Sequence, residues 1–426
     1  MLLALRIANH RSLRDLQTLD LRPTYQRDRP SVNVTAVYGA NASGKSNLLS
    51  ALQFMHDAVT SQHDDWFPGD EIPRQPFLLD NKTRSEPSSY AVDLLIDGVM
   101  YTYGFSVDSH VVQEEWLYSY PKKKRRTLFD RHGSDYYFGP TLNRKRSDLL
   151  SEMTPPNMLF LATAARTLEP DLLIVVEWFR HNLWLISELN QGLLRAMTRE
   201  LLEDPATARQ VIELLQAADL GISNVRVQAQ IGSGKGKNSR GIQVRRPSQS
   251  SQAENFIRQV LVTQSPKRML FTHLGEKPAD FDISDESRGT RAWFELVGVT
   301  LNALTRGWTL LVDELDTSLH PLLSAELIKL FQNPDTNPRG AQLIFTTHDA
   351  SLMGRIHGEE LLRRDEIWFV EKESTTGASQ LYPLTDFHPR EGLNWERRYL
   401  GGALGAVPIL DEDRFIDMFA PTDRDA

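Results

Sequence analysis

The chain has 426 residues, a formal net charge of −8 and 40% hydrophobic residues. It is long enough for two or three domains and too acidic to coat nucleic acid with its whole surface. It contains no cysteine, which excludes disulfides, thiolate metal sites and cysteine nucleophiles. No apolar run approaches the ~18–20 residues of a membrane span. The opening MLLALRIANHR lacks the basic region and cleavage site of a secretory signal, so a cytoplasmic protein without membrane contact is expected.

Residues 2–7 and 32–38 read as strands, and SNLLSALQFMHDAV that follows has helical apolar spacing. Between strand and helix lies VYGANASGKSN, residues 37–47, a glycine-rich loop ending in Lys-Ser. In this strand–loop–helix context the backbone N–H groups of such a loop wrap phosphates. Gly39, Asn41, Ser43, Gly44 and Asn47 then belong to the cradle. Lys45 reaches the terminal phosphates and Ser46 ligates Mg²⁺. ATP and Mg²⁺ are the expected ligands, although kinases, GTPases, helicases and transporters all carry such a loop.

From 87 to 140 the pattern alternates with period two, with Asp97-Gly98 as a turn, and predicts an antiparallel β lobe. The lobe includes the basic run KKKRR at 122–126. A second basic segment, within 231–252, lacks apolar periodicity and reads as a flexible loop. Each is either a solvated hairpin or loop, or a local contact for DNA. Between them, residues 170–220 read as mainly helical, stopping at Gly221.

Two apolar runs of the buried parallel type follow, TLLVDE at 309–314 and AQLIFTTHD at 341–349. The first ends in Asp313 and Glu314, at the carboxyl end of a strand, where open α/β sheets bind ligands. Asp313 is expected to hold Mg²⁺ through water and Glu314 to polarise the attacking water. His348 ends the second run and is placed to sense the terminal phosphate. Upstream, Ser287-Arg288-Gly289-Thr290 opens a helix whose N-terminal N–H groups suit an anion.

Ser-x-Gly-Thr before a strand ending Asp-Glu, then Leu-Asp, then Thr-His-Asp, resembles the motif order of ABC-type ATPases. The match is closest to the SMC/RecF-like branch, whose first hairpin is similar to LRIANHRSLRDLQTLDL. More narrowly, the chain resembles the RloA/AbiL abortive-infection group and the related ATPase subunit of PARIS phage-defence systems. PFLLD at 76–80, DGVMYTYGF at 97–105 and RYLGGALGAVPIL at 398–410 carry that likeness. The resemblance implies an α/β fold: an ABC-type P-loop ATPase head, with a mixed β-sheet core and an antiparallel lobe, plus a helical insertion. The N-terminal half with the lobe spans 1–165, the insertion with its basic loop 166–258, and the C-terminal half with signature, acid strand and tail 259–426.

It also implies a head-to-head homodimer, or larger assembly, that sandwiches two ATPs. Lys45, Ser46, Asp313, Glu314 and His348 would act within one chain, and Ser287 and Gly289 on the nucleotide of the other. Asp316 matches the position that communicates across the interface, and Arg11 is a candidate nucleotide contact. Gln75 is either the residue linking Mg²⁺ to the lobe or a surface-loop residue. The signature reads Glu286-Ser287-Arg288-Gly289, departing from the usual Leu-Ser-Gly-Gly. Only 77 residues follow Asp349, too few for a fused Toprim domain, and no long heptad run is present. The expectation is therefore a regulatory ATPase acting on a separate effector nuclease, of Toprim or RloB-like type. The competing expectation is a RecF-like DNA clamp.

Overall fold

The computed structural model describes residues 1–25, 29–60, 66–165, 170–186, 190–229, 267–317, 319–356, 358–387 and 393–408; the basic segment 231–252 lies outside them. The chain opens with β1 (Leu2–Ala8), β2 (Gln17–Asp20), β3 (Val34–Tyr38) and α1 (Lys45–Thr60). After α2 (Asn81–Ser85) come β4 (Ser88–Ile96), β5 (Val99–Val107), β6 (Val112–Ser119), β7 (Arg126–His132) and β8 (Asp135–Phe138). The expected antiparallel lobe is present as a seven-stranded sheet in the order β2-β1-β4-β5-β6-β7-β8. Asp97 and Gly98 join β4 to β5 with φ of 48° and 76°, the left-handed pair whose twist suits a two-residue hairpin.

Next come α3 (Arg144–Met153), α4 (Phe160–Ala164), α5 (Pro170–Asn182), β9 (Leu183–Ile186), α6 (Gln191–Leu201) and α7 (Pro205–Ala217). A three-stranded antiparallel sheet of β10 (Ile222–Ala229), β11 (Lys267–His273) and β12 (Ala279–Asp282) precedes α8 (Arg288–Arg306). The rest comprises β13 (Thr309–Val312), α9 (Pro321–Gln332), β14 (Gln342–Thr347), the small ladder β15 (Arg355–Ile356) and β16 (Glu359–Glu360), β17 (Ile367–Lys372), β18 (Ser379–Pro383) and α10 (Trp395–Leu400).

The core sheet runs β18-β17-β3-β14-β13-β9, parallel except for β18. Its central strands β3, β13 and β14 are buried at every residue, as expected of a parallel sheet covered on both faces. Period two splits their side chains between two cores. Val37, Leu311 and Ile344 face the cluster that holds Leu48, Leu52 and Met55 of α1 and the lobe strands. Ala36, Leu310 and Phe345 face the cluster built from α8 and α9. Helix α1 is thus held between lobe and core sheet, directly behind the phosphate loop.

The stretch 170–220 is not helical throughout, because β9 interrupts it and pairs in parallel with β13. Leu-Trp-Leu-Ile is a four-residue apolar run that fits a helix or a strand by pattern alone. The available edge of β13, and the stacking of Trp184 on Trp308 at 4.6 Å, select the strand.

The turn after β1 anchors lobe to helix. His10 is buried, with Nδ1 3.0 Å from the Tyr90 hydroxyl on β4 and Nε2 2.9 Å from Ser50 Oγ on α1. Burial, with the nearby Arg11 charge, lowers its pKa to about 3. The unfolded chain takes this proton near ~6.5, so between those values the unfolded state binds more protons. Stability contributed by neutral His10 is full above pH 6.5 and is lost as pH falls toward 3. Between pH 7.5 and 5, the wild type should lose roughly 2 kcal/mol more than His10→Gln, read from urea unfolding at both pH values. Parallel losses in the two proteins would show that His10 is protonated in the folded state.

Candidate functional site

Because β3, β14 and β13 are parallel neighbours, their carboxyl ends open side by side. The register sets Thr347 opposite Tyr38 and Val312 opposite Phe345. The phosphate loop leaves β3, Asp313 and Glu314 leave β13, and His348 leaves β14. Segments 267 and 303 residues apart meet here: Ser46 Oγ donates to Asp313 Oδ1 at 3.0 Å, and Lys45 Nζ lies 3.1 Å from His348 Nε2.

The loop is shaped by close approach and by φ. A side chain at Gly39 would collide with the Val370 carbonyl and with Ser43 Oγ. Gly44 has φ of +111° and faces Ser12 and Ser379, a conformation open to glycine. Two serines from distant segments clamp the loop. The Ser379 hydroxyl donates to the Ser43 carbonyl at 2.5 Å, and the Ser379 N–H donates to the Ser12 carbonyl at 2.7 Å. Asn47 Nδ2 donates to Ser12 Oγ at 2.6 Å. Asn41 is exposed at the rim, whereas Ser43 is buried and its hydroxyl has no partner.

The buried Lys45 ammonium rests on the carbonyls of Gly39 at 2.8 Å and Ala40 at 3.1 Å, with His348 as its third neighbour. Burial lowers its pKa, against the pull of Glu314, Asp313 and Asp316. The His348 pKa is also lowered, by burial first and by the Lys45 charge second, so the ring is neutral at pH 7. Asp316 accepts the His348 N–H at 3.2 Å, tying the loop after β13 to the end of β14.

Thr346, fully buried on β14, organises both acids. Its hydroxyl donates to Asp313 Oδ1 at 2.6 Å and accepts from the Glu314 N–H at 2.7 Å. Glu314 itself is exposed and left-handed, with φ of 52°, and its carboxylate accepts from Thr317 at 3.0 Å. A non-glycine residue in that region stores roughly 1–3 kcal/mol of strain, a feature that clusters at functional positions.

Arg11, also left-handed, donates through its backbone N–H to the Gln75 carbonyl at 2.6 Å, and its guanidinium pairs with the Gln75 side chain. Its other arm lies 3.5 Å from Asn47 Oδ1. Gln75 and Arg11 are therefore exposed neighbours at the rim of the loop. Ser287 and Gly289 stand elsewhere, at the start of α8. The Ser287 hydroxyl accepts the Thr290 N–H at 3.1 Å and caps its own helix. Sequence reasoning missed Thr346, Ser12 and Ser379: Thr346 reads only as a strand residue of AQLIFTTHD, Ser12 lies unmarked within LRIANHRSLRDLQTLDL, and no motif falls at Ser379.

These residues fit a nucleotide with Mg²⁺. The loop offers N–H groups, one buried ammonium on neutral acceptors and an orphan hydroxyl at Ser43. Ser46 and Asp313 supply two hard oxygens already in contact, which suits a cation otherwise carried by phosphate and water. Among the described residues no group of three His, Cys, Asp or Glu forms a metal cage, and none of their helices is long and apolar enough to cross a membrane.

Fold and site together define an α/β P-loop head, with the phosphate loop, acid strand and terminal histidine on adjacent parallel strands beside an antiparallel lobe. Within that class, residues 34–354 match the family described as "AAA domain, putative AbiEii toxin, Type IV TA system", and the chain belongs to it. The structure is similar to the SMC head domain from Thermotoga maritima, at 14% identity over 90% of this chain and 98% of that one, with a TM-score of 0.41. It is similar also to the Smc head domain of Pyrococcus furiosus with an extended coiled coil, bound to the C-terminal domain of ScpA. There the identity is 11% over 95% and 98% of the two chains, with a TM-score of 0.45. A third similarity is to the SmcHead bound to the C-winged helix domain of ScpA, at 12% over 94% and 99%, with a TM-score of 0.44. No curated protein matches the chain.

Replacing Thr346 by Val keeps the shape but removes the donor to Asp313 and the acceptor for the Glu314 N–H. A loss of about 2–3 kcal/mol is expected in urea unfolding, with Thr346→Ser retaining most of the stability. Equal losses for Val and Ser would show that the methyl packing, not the hydroxyl, matters.

Proposed function

We propose that this chain binds and hydrolyses ATP as an ABC-type switch and regulates a separate effector. The observation that carries this reading is the meeting of Lys45 with His348 and of Ser46 with Asp313 at one sheet end. Lys45 and the loop N–H groups bind the phosphates, exchanging carbonyl contacts for anionic ones. Ser46 and Asp313 would hold Mg²⁺, which would supply charge neutralisation at the phosphates. Glu314 orients and deprotonates the attacking water, and neutral His348 offers a hydrogen bond beside it.

Ser287 and Gly289 lie at the N-terminus of a 19-residue helix, where N–H groups and the macrodipole favour an anion. We assign them to the nucleotide of a second copy, so that two ATPs close the dimer. A ligand gripped only in the closed state shifts the equilibrium by its differential affinity. The family's description, a toxin of type IV toxin–antitoxin systems, favours a role in abortive infection over DNA repair. The effector in this reading is a nuclease supplied by another chain.

The test is the solution mass of Glu314→Gln with and without Mg-ATP, beside the double variant that adds Ser287→Arg. The single variant should gain mass with ATP, roughly doubling if the unit is a monomer, and the double variant should not. A persistent monomer that still binds ATP would refute the sandwich. Nucleic-acid degradation by the purified chain that survives Glu314→Gln would refute the separate effector.

A further inference from the structure

We propose that the outer end of the lobe is a docking surface for the phosphate backbone of a nucleic-acid duplex. It is built from the β6–β7 turn and the start of α3. Lys122, Lys123, Lys124 and Arg125 are exposed on the turn, and Arg144, Lys145 and Arg146 are exposed on the first turn of α3. The two segments are distant in sequence but leave the same end of the β7–β8 pair. Ser119 is opposite Arg126 in one ladder and Phe129 opposite Phe138 in the next. The Gly139 N–H donates to the Leu128 carbonyl at 2.8 Å, and the chain turns through Leu142 into α3, capped by Asn143. Seven exposed cations thus lie on the two segments that leave this end, on a protein whose net charge is −8.

Local backbone chemistry does not explain these residue choices. Lys122 and Lys123 are consecutive left-handed residues, with φ of 54° and 63°, where Asn-Gly would sit with less strain. Helix α3 has no acid in its first turn, although its dipole there favours anions over cations. Cations kept against both preferences are explained by an anionic partner. Arg125 also stacks on Tyr118, 4.1 Å from the ring centroid, which holds one guanidinium in place. Among the acids nearby, Asp148 pairs with Arg144 and Asp130 takes the Tyr118 hydroxyl at 2.6 Å. A duplex fits because exposed cations on two separate elements can each meet a phosphate of a continuous backbone. The surface is independent of the ATPase assignment.

The test uses the full chain and a fluorescent 20-base-pair duplex of mixed sequence, titrated by anisotropy across salt concentrations. One variant carries Lys122→Asn with Lys123→Gly, and the other Arg144→Gln with Lys145→Gln. Each should weaken binding at least fivefold and flatten the log–log salt slope by about two, at ~0.9 per lost phosphate contact. The Asn-Gly turn should leave Tm unchanged or raised, and ATP binding should be unaltered in both variants. Affinity unchanged in either variant overturns the surface. Displacement of the duplex by poly-glutamate at equal charge overturns it too, in favour of an acidic protein partner.

Discussion

The parallel register of three short strands is the constraint on which the site depends. β14 lies between β3 and β13, and each strand delivers its functional residue from the carboxyl end. Side chains alternate with period two, so a slip of one residue in β14 would turn Thr346, and His348 just beyond the strand, away from the face they share. Such a slip would break the contact of Thr346 with Asp313 and of Lys45 with His348 together. Complete burial of all three strands opposes it, because their two faces fill two different cores. The apolar residues that carry no chemistry therefore set the geometry of the polar ones that do.

Charge at the site is arranged for an anion. Lys45 is buried against carbonyls and a neutral imidazole, and burial lowers its pKa against the pull of nearby carboxylates that are not among its hydrogen-bond partners. An ammonium in that setting is under-compensated, and a phosphate meets it more strongly than a carbonyl does. Burial first and the same ammonium second lower the His348 pKa, which disfavours two cations facing each other. Asp313, by contrast, is already engaged by two hydroxyls on one oxygen. At the loop mouth the lysine is thus held by neutral carbonyls and Asp313 by neutral hydroxyl donors.

What could be read from sequence was what local pattern encodes. The phosphate loop, the acid pair at a strand end, His348 and the Ser287 cap are short motifs within single elements, and the lobe showed in its alternation and its Asp-Gly turn. The illegible parts depend on contacts between distant segments. Ser379 clamps Ser43 across 336 residues, and nothing in Ala-Ser-Gln-Leu-Tyr marks it. Thr346 looks like one more β-branched strand residue. β9 is a four-residue run whose state is decided by the edge of β13.

Helices α6 and α7 contribute no nucleotide motif, yet they position the N-terminus of α8. Thr198 on α6 donates to the Phe294 carbonyl at 2.9 Å, and a side chain at Gly298 would collide with the Thr198 backbone, so the helices cross almost in contact. Arg195 pairs with the buried Glu295, and Trp293 Nε1 donates to the Leu214 carbonyl on α7 at 3.1 Å. β9 then fastens the same segment to β13, beside Asp313. Helix α8 is therefore fixed to the acid strand through α6 and β9, not only through the loop that joins α8 to β13. A force on Ser287 at the tip of α8 is carried by packed helices to the strand that ends in Asp313 and Glu314. Close packing transmits such displacement because it leaves little room for relaxation. In this fold the segment that carries no nucleotide motif ties the N-terminus of α8 to the strand that ends in Asp313 and Glu314.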